Sequence, residues 1–382
     1  MDKIGIICEY NPFHNGHIYH INKIKEMYPN SMIILVMSGN FTQRGIPSII
    51  DKWNKTEIAL TYGIDLVIEL PFVFATDGAD NFALGAISIL KELKVDKLIF
   101  GSETDDVSYL EKLAKVSLTD EYNLEVQKYL NTEVNYPTAL NLAFKKFNLD
   151  GTNTANDLLA LSYIKEIYKQ KANIKPISIK RTNDFHSLEL ENISSATSIR
   201  NAIINNKDIT NSVPKETLDK INENFIIDNY FNYLKYKILT EDNLEIYHTV
   251  PVGFNNKLKK EIRVSNNYEE LIDNLKSKHF THSRITRMLL HILCSYTKEL
   301  ATSFKNISYI RVLGMNNIGK EYLNSIKKDI KIPIITTFSK GNDKMLDFEQ
   351  KTTDIYALVL SKEKVNDYLK KEYQEKIIIK EK

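Results

Sequence analysis

Two histidines separated by a short spacer with one glycine follow the first apolar segment of the chain. His14, Gly16 and His17 form a His-x-Gly-His pattern directly after the apolar residues 4–8. A helix that begins near Gly16 would direct its unpaired N–H groups and the positive end of its dipole at an anion. The two imidazoles could donate hydrogen bonds to phosphate oxygens as charge develops on them. The pattern predicts a phosphate site, with a pair of surface or helix-capping histidines as the alternative.

A second polar group lies far along the chain, in the sequence ISSATSIR at residues 193–200. Ser194 or Ser195 is suited to be the N-cap of a helix, since serine accepts hydrogen bonds from the free N–H groups there. Arg200 would then project from the second turn, where its guanidinium could bind the same anion. Taken alone, the group is a capped helix.

Together the two groups resemble the paired His-x-Gly-His and Ile-Ser-Ser-x-x-(Ile/Val)-Arg signatures of the nucleotidylyltransferase superfamily, which close on ATP from opposite sides. Further segments narrow the resemblance to the bacterial tRNA(Met) cytidine acetate ligases, and they extend it over most of the chain. These segments are CEYNPFHNGH (8–17), MSGNFTQRG (37–45), DKW (51–53), VIELP (67–71), FGSE (100–103) and RVLG (311–314).

The resemblance implies that ATP activates acetate as acetyl-adenylate, with Mg²⁺ accompanying the nucleotide. The acetyl group would then pass to N4 of the wobble cytidine of elongator tRNA(Met). His14, His17, Ser195 and Arg200 would be the catalytic residues. The residues implied to contact ATP are Ile7, Cys8, Glu9, Tyr10, Asn11, Pro12, Phe13, His14, Asn15, Gly16, His17, Ile18, Tyr19, His20, Gly101, Asn156, Arg181, Thr182 and Ser194.

Some of these contacts have structural alternatives. Gly101 could let a nucleotide approach the backbone or could be an ordinary turn at a strand end. Arg181 could reach the nucleotide or lie on the surface. Around Asn156 the chain departs from the family pattern, because Ala155 stands where the family has proline and Ala160 where it has glycine. Asn156 remains a nucleotide contact by resemblance, with a less certain local turn.

Short apolar runs at residues 4–8, 32–37, 66–70, 97–100 and 176–180 read as strands, and helical patterns at 53–62, 81–93 and 157–168 separate several of them. This alternation predicts an α/β fold with a doubly wound parallel sheet. The resemblance implies that this sheet is of the Rossmann-like, HIGH-type nucleotidylyltransferase class. Ligands bind such sheets beyond the carboxyl ends of the strands. The distinctive segments 9–17, 38–45, 101–103 and 181–182 all follow strands, so we expect them at one edge.

The pattern changes near residue 205. Residues 1–205 are expected to form the ATP-binding catalytic domain, and 206–382 a mostly α-helical, basic domain that binds tRNA. Within the second part, helices are predicted at 271–275 and 285–296, and strands near 309–313 and 332–337. The lysine-rich end, 370–382, is expected to fray as a solvated tail.

The charge is unevenly distributed. Residues 1–200 contain 21 Lys and Arg against 25 Asp and Glu, whereas 257–311 contain 11 against 5. Such a cluster is typical of a protein that binds a polyanion, although a solvated basic face is the alternative. If the segment 276–291 is helical, Arg284, Arg287 and His291 share one face. The candidate tRNA contacts are Arg44, Lys276, Lys278, Arg284 and Arg287.

Composition excludes several classes of protein. The two cysteines, Cys8 and Cys294, cannot form a disulfide framework and fit a reducing cytoplasm. No spacing suggests a metal site, no apolar run could span a bilayer, and no obligate protein partner is evident. The carboxylates of Asp51, Glu69, Asp77 and Asp80 are expected to cap helices or face solvent.

Three functions remain open from the sequence. The first is the acetate ligase that acts on tRNA. The second is an adenylyltransferase that joins AMP to a phosphorylated metabolite, which would need no basic helical domain. The third is a non-catalytic RNA-binding protein with a degenerate nucleotide fold, against which the intact His14, His17, Ser195 and Arg200 argue.

Overall fold

A computed structural model describes residues 1–132, 134–181, 194–277, 280–338, 343–374 and 376–381. The strands are β1 (Asp2–Cys8), β2 (Ser31–Ser38), β3 (Leu66–Leu70), β4 (Lys97–Ser102), β5 (Lys175–Lys180), β6 (Ile310–Asn316), β7 (Ile334–Ile335) and β8 (Ile378–Lys380). The helices of the first half are α1 (Asn15–Met27), α2 (Lys52–Thr61), α3 (Phe72–Ala75), α4 (Ala79–Glu92), α5 (Val107–Ser117), α6 (Asp120–Leu130), α7 (Tyr136–Lys145), α8 (Ala155–Lys169) and α9 (Ala196–Ile204).

The second half contributes further helices. They are α10 (Lys215–Leu218), α11 (Phe231–Thr240), α12 (Asn255–Val264), α13 (Tyr268–Leu275), α14 (His282–Leu293), α15 (Lys298–Ser303), α16 (Asn317–Ile326), α17 (Lys344–Ala357) and α18 (Lys362–Tyr373). Short 3₁₀ helices cover Glu223–Phe225, Ile227–Tyr230 and Leu244–Ile246. No helix among the described residues is long and apolar enough to cross a membrane.

The strands form one sheet in the order β5-β4-β1-β2-β3-β6-β7, with β8 also paired to β6. Strands β1 to β5 are mutually parallel, as predicted, and β2 is buried from Met32 to Ser38. Successive side chains of a strand point to opposite faces, so this continuous burial requires cover on both faces. The chain moves outward from β1 through β2 to β3 and returns to the other side of β1 for β4. The edge beyond β1 and β4 is therefore the switch point where ligands bind in such folds.

The expectation of a separate helical domain after residue 205 needs a correction. Strand β6 pairs antiparallel with β3, and β7 and β8 both pair with β6. The second half therefore completes the sheet of the first half. Helices α11 to α14 pack against one another, and we call them, with the loops that join them, the helical part of the second half. A domain boundary near residue 205 stays a prediction only for the separation of the helical part from the sheet.

The lysine-rich end does not fray as a whole. Glu372, near the end of α18, is buried against Lys52, Glu69 and Arg311, and the four side chains are 0–3% exposed. Lys52 Nζ lies 2.9 Å from both Glu69 Oε1 and Glu372 Oε1, and Arg311 Nη2 lies 2.8 Å from Glu372 Oε1. We call these four residues the buried ion cluster. The prediction that Glu69 caps a helix or faces solvent is wrong, because it pairs with buried cations.

The other three carboxylates have different partners. Asp51 caps α2 by accepting from the Trp53 and Asn54 nitrogens, as expected. Asp80 lies in the first turn of α4 and pairs with Lys165. Asp77 is buried, and its Oδ2 lies 3.0 Å from His248 Nε2, so it joins α3 and α4 to the helical part.

Candidate active site

The His-x-Gly-His segment forms the loop and first turn between β1 and α1. His14 is the N-cap of α1, and its Nδ1 accepts a hydrogen bond from Gly16 N at 3.1 Å. The His14 backbone N–H donates to His17 Nδ1, also at 3.1 Å. Because each Nδ1 accepts a hydrogen bond from a backbone N–H, each neutral ring carries its hydrogen on Nε2. The helix start thus fixes both tautomers and leaves two Nε2–H groups as donors.

Burial and neighbouring cations keep these imidazoles neutral. Burial, together with the charges of Arg181 and Arg200, lowers the pKa of His14 to about 3. The pKa of His17 falls well below its ordinary value, first because of burial and then because of His14. At neutral pH both rings are therefore uncharged, and each has an N–H group that could donate a hydrogen bond to an anion.

The Ser-Ser segment lies against this loop. Ser195 is the N-cap of α9, and its Oγ accepts from Ser198 N at 3.1 Å. Arg200 Nη1 donates to Asn11 O at 2.6 Å, which ties α9 to the chain leading into His14. Asn15 N donates to the backbone oxygen of Ser212, and the Ser212 hydroxyl lies 3.2 Å from the Ser194 hydroxyl. The structure therefore brings the two groups together on the carboxyl side of β1.

Gly101, Asn156 and Arg181 meet at the ends of β4 and β5. The Arg181 side chain passes over Gly101, where a Cβ would lie 3.3 Å from Arg181 Cγ. Arg181 Nε lies 3.8 Å from Glu103 Oε1, and Asn156 Nδ2 donates to the same oxygen at 2.5 Å. Arg181 Nε is buried and has no hydrogen-bond partner among the described residues. Thr182 lies outside the described residues. The cations Arg181 and Arg200 both lie close enough to His14 for their charges to lower its pKa.

Comparison with known proteins agrees with this geometry. A family model described as HIGH Nucleotidyl Transferase matches residues 1–372. The tRNA(Met) cytidine acetate ligase of Thermoanaerobacter sp. (strain X514) is 40% identical, covering 94% of this chain and 95% of its own. That of Clostridium acetobutylicum is 38% identical, covering 97% and 99%. The chain therefore belongs to the HIGH nucleotidyl transferase family and, within it, to the tRNA(Met) cytidine acetate ligases.

Two solved structures share the fold over the full length of both chains. The crystal structure of apo Thermotoga maritima TmcAL superposes with a TM-score of 0.91 at 31% identity, covering 100% of each chain. The same protein bound with alpha-thio ATP superposes with a TM-score of 0.90 at 32% identity, again covering 100% of each chain. The predicted family and the predicted α/β fold with a parallel sheet are therefore confirmed.

The candidate tRNA contacts fall into different environments. Arg284 is exposed at the start of α14, with its guanidinium 4.6 Å from the centre of the Phe280 ring. Lys276 is paired with Asp273 at 2.6 Å. Lys278 lies outside the described residues. Arg287 is half-buried, and its Nη1 donates to Gln43 O at 3.2 Å.

The predicted common face of Arg284, Arg287 and His291 is therefore not one surface. His291 is fully buried, 3.0 Å from Thr249 Oγ1, and burial lowers its pKa to about 3. Along this side of α14 the chain passes from solvent at Arg284 to the interior at His291. The change in exposure follows from the apolar residues of α14, because Met288, Leu289, Leu290 and Ile292 bury the later turns of the helix.

Sequence reasoning missed two residues that hold the site. Asp157 is fully buried in the first turn of α8 and accepts hydrogen bonds from Ser102 Oγ (2.5 Å), Thr154 Oγ1 (2.8 Å), and the nitrogens of Glu103 and Thr104 (both 3.2 Å). It fixes the turn after β4 on which Glu103 stands. The sequence did contain a signal for this role, namely an aspartate at the start of a predicted helix, since an acidic residue in the first turn readily binds backbone N–H groups.

The second missed residue is Lys55. Its fully buried ammonium donates to Glu9 O (2.9 Å), Ser38 O (2.8 Å) and Gly39 O (2.8 Å). Burial lowers the pKa of Lys55 to about 7, but three carbonyl acceptors require all three protons of the charged form. Lys55 thereby joins the chain ends that leave β1 and β2. Nothing in its local sequence indicates this role, which depends on strands that precede it.

Proposed function

We propose that this protein is an ATP-dependent ligase that converts acetate to acetyl-adenylate and transfers the acetyl group to N4 of the wobble cytidine of elongator tRNA(Met). The observation that carries the proposal is the pair of neutral Nε2–H donors of His14 and His17 near the cations Arg181 and Arg200. Support comes from relatives named tRNA(Met) cytidine acetate ligases and from a relative bound with alpha-thio ATP.

The first half-reaction needs charge stabilisation and no base. Acetate is ionised at neutral pH, so its oxygen can attack the α-phosphorus directly while the bond to pyrophosphate breaks. Negative charge then grows on the phosphate oxygens, where the histidine N–H groups and Arg200 can donate to it. The products are acetyl-adenylate and pyrophosphate.

In the second half-reaction the cytidine N4 amine attacks the acetyl carbonyl. The bond to AMP breaks, the amine loses one proton, and AMP leaves with the bonding electron pair. The exposed Arg284 end of α14, Lys276 and the Arg44 loop are the proposed contacts for the tRNA backbone, because phosphate contacts come mainly from arginine and lysine. Lys278 belongs to the same proposal by sequence.

Mg²⁺ would accompany ATP without a protein cage. No group of three His, Cys, Asp or Glu side chains in the described ranges could hold a metal ion. The carboxylates near the site are already used, Glu9 by Gln43 N and Glu103 by Asn156. A magnesium ion here would be held by phosphate oxygens and water, as is usual for this cation, and would neutralise phosphate charge.

Exchange of pyrophosphate into ATP tests the proposal. Purified protein should catalyse exchange that depends on acetate and needs no RNA. A panel of carboxylates and phosphorylated metabolites identifies the adenylated substrate. Exchange that requires a metabolite phosphate would indicate the small-molecule adenylyltransferase, and absence of exchange with every substrate would indicate a non-catalytic RNA-binding protein.

Mass spectrometry tests the acceptor. Elongator tRNA(Met) incubated with enzyme, ATP and labelled acetate should gain one label, on a single cytidine. Acetyl-CoA as the only donor should give no product. Efficient use of acetyl-CoA would refute the adenylate route.

A further inference from the structure

The loop at residues 40–47 lies between the candidate active site and α14. Gln43 N donates to Glu9 Oε1 at 2.6 Å, and Gln43 O accepts from Arg287 Nη1 at 3.2 Å. One residue of the loop is thus bonded on one side to the chain that leaves β1 and on the other side to the helical part. Glu9 stands five residues before His14 on that chain.

The tip of this loop is pressed against the backbone of α14. Thr286 Oγ1 donates to Arg44 O at 2.5 Å. Gly45 has a φ of +73°, and a Cβ there would overlap the Thr286 carbonyl carbon and the Arg287 nitrogen. Glycine suits the position both for its conformation and for the close approach of the two backbones.

The loop is also held at its base. Thr42 N donates to Ile46 O at 3.0 Å, and Ser48 N donates to Asn40 O at 2.8 Å, so its two arms are bonded to each other. Lys55 binds the carbonyls of Ser38 and Gly39 below the loop together with that of Glu9. A loop braced at both ends passes a displacement of α14 to Glu9 and absorbs little of it.

We propose that Arg287 is a positioning residue for the nucleotide site and not a contact for RNA. By holding Gln43 O, its guanidinium sets the position of the Gln43 N–H and hence of the Glu9 carboxylate beside the His14 loop. The inference depends on the proposed function, in that the site binds ATP. Arg284, one turn earlier and exposed, is the residue of α14 that is placed for a phosphate contact.

Matched substitutions on α14 separate the two roles. Arg287→Met and Arg284→Met remove the same group from the same helix and keep an apolar stem. Arg287→Met should raise the KM for ATP in acetate-dependent exchange by roughly tenfold or more, the scale of a lost hydrogen bond from a charged group. Arg284→Met should reduce the salt slope of tRNA binding by about 0.7–0.9, whereas Arg287→Met should not change that slope.

Two further variants distinguish positioning from general support of the fold. Arg287→Lys keeps a cationic donor and should recover part of the KM loss. Thr286→Val removes the hydroxyl that bonds to Arg44 O and, within α14, to Ser283 O. It should raise the KM in the same direction even if Arg287→Met folds poorly. A merely structural role would lower kcat through loss of active protein and leave the KM unchanged.

The inference is overturned if Arg287→Met and Thr286→Val both keep the wild-type KM for ATP. It is also overturned if Arg287→Met lowers the tRNA salt slope as Arg284→Met does, since Arg287 would then contact phosphate. Direct titration of ATP into wild type and Arg287→Met, without acetate or tRNA, tests the inference apart from the reaction. Failure of the wild type to exchange would refute the proposed function while leaving this binding comparison intact.

Discussion

The molecule contains two groups of buried charge that use the same residue types in opposite ways. In the buried ion cluster, the cations of Lys52 and Arg311 meet the carboxylates of Glu69 and Glu372. In the candidate active site, Arg200 donates to the neutral oxygens of Asn11 and Thr197. The first group is balanced by close pairs with its own anions. In the second group Arg200 has neutral acceptors, and among the described residues Arg181 has only the longer contact of 3.8 Å with Glu103.

The difference shows how function can be recognised from charge balance. Isolated buried charge is costly, and pairing with an opposite charge removes much of that cost. The cluster reduces its cost within the chain, and it thereby fastens α18 to the sheet. The candidate active site leaves part of the cost in place, and under the proposed function the polyphosphate of ATP would reduce it on binding.

The largest effect is expected from breaking the balanced group. Glu372→Ala leaves Lys52 and Arg311 with a single carboxylate, so the free energy of unfolding should fall by about 3–5 kcal/mol. Trp53 Nε1, which donates to Glu372 Oε2 at 2.9 Å, would also lose its acceptor. Denaturant unfolding measures the change, with the exposed neighbour Lys371→Ala as the control. Equal stability of the two variants would contradict the role assigned to the cluster.

A large effect on activity is expected from the unbalanced group. In His17→Asn the amide oxygen can still accept from His14 N, but the Nε2–H donor is lost. Acetate-dependent exchange should fall by roughly 10²–10³-fold, the scale for one transition-state donor. The free energy of unfolding should change little, and the exposed His282→Asn is the matched control. A variant that exchanges at the wild-type rate would remove His17 from the mechanism.

A smaller and pH-dependent effect is expected from His14. Its pKa is lowered to about 3 in the folded protein, so between the ordinary histidine value and that pH the unfolded chain binds a proton that the folded chain does not. Stability from this group is complete above about pH 6.5 and is lost as the pH falls, by about 1.4 kcal/mol per pH unit.

His14→Asn isolates this contribution. Asparagine is a good N-cap, so α1 should keep its start while the titrating group is lost. Unfolding measured from pH 7 to 4 should show a flatter decline for His14→Asn than for wild type, and His282→Asn should follow wild type. Parallel curves for all three proteins would mean that His14 does not remain neutral on folding.

The elements that local sequence determines were predictable. Continuous apolar runs located β1 to β5 within a few residues, and the His14 and Ser195 segments were recognised because each is a complete helix start within a few positions. The rule for parallel sheets placed the His14 segment at the edge formed by the strand ends, and the family resemblance implied that the Ser195 segment meets it there. The roles of the individual site residues in ATP or tRNA binding stay predictions.

Features that depend on distant partners were not predictable. Lys55 depends on carbonyls at the ends of β1 and β2, and the burial of Glu372 depends on Lys52, far earlier in the chain. The lysines around Glu372 made the C-terminal segment look solvated, because composition does not show which side of α18 packs inward. Arg284 and Arg287 are the same residue type, one turn apart on α14, so the sequence gives no reason to assign them different roles. The difference comes from the Gln43 loop, whose carbonyl accepts a hydrogen bond from Arg287.

The antiparallel pairing of β3 with β6 has a consequence for synthesis. Ile68 pairs with Val312, so a ribosome that has just completed β3 must still make the intervening residues before the partner strand exists. At bacterial elongation rates the delay is roughly 10–50 s. Throughout that time the nascent chain presents the apolar edge of β3, with Glu69 lacking Arg311, as a template for mispairing with other chains. The gap between these two strands therefore leaves the edge of β3 without its partner until most of the chain has been synthesised.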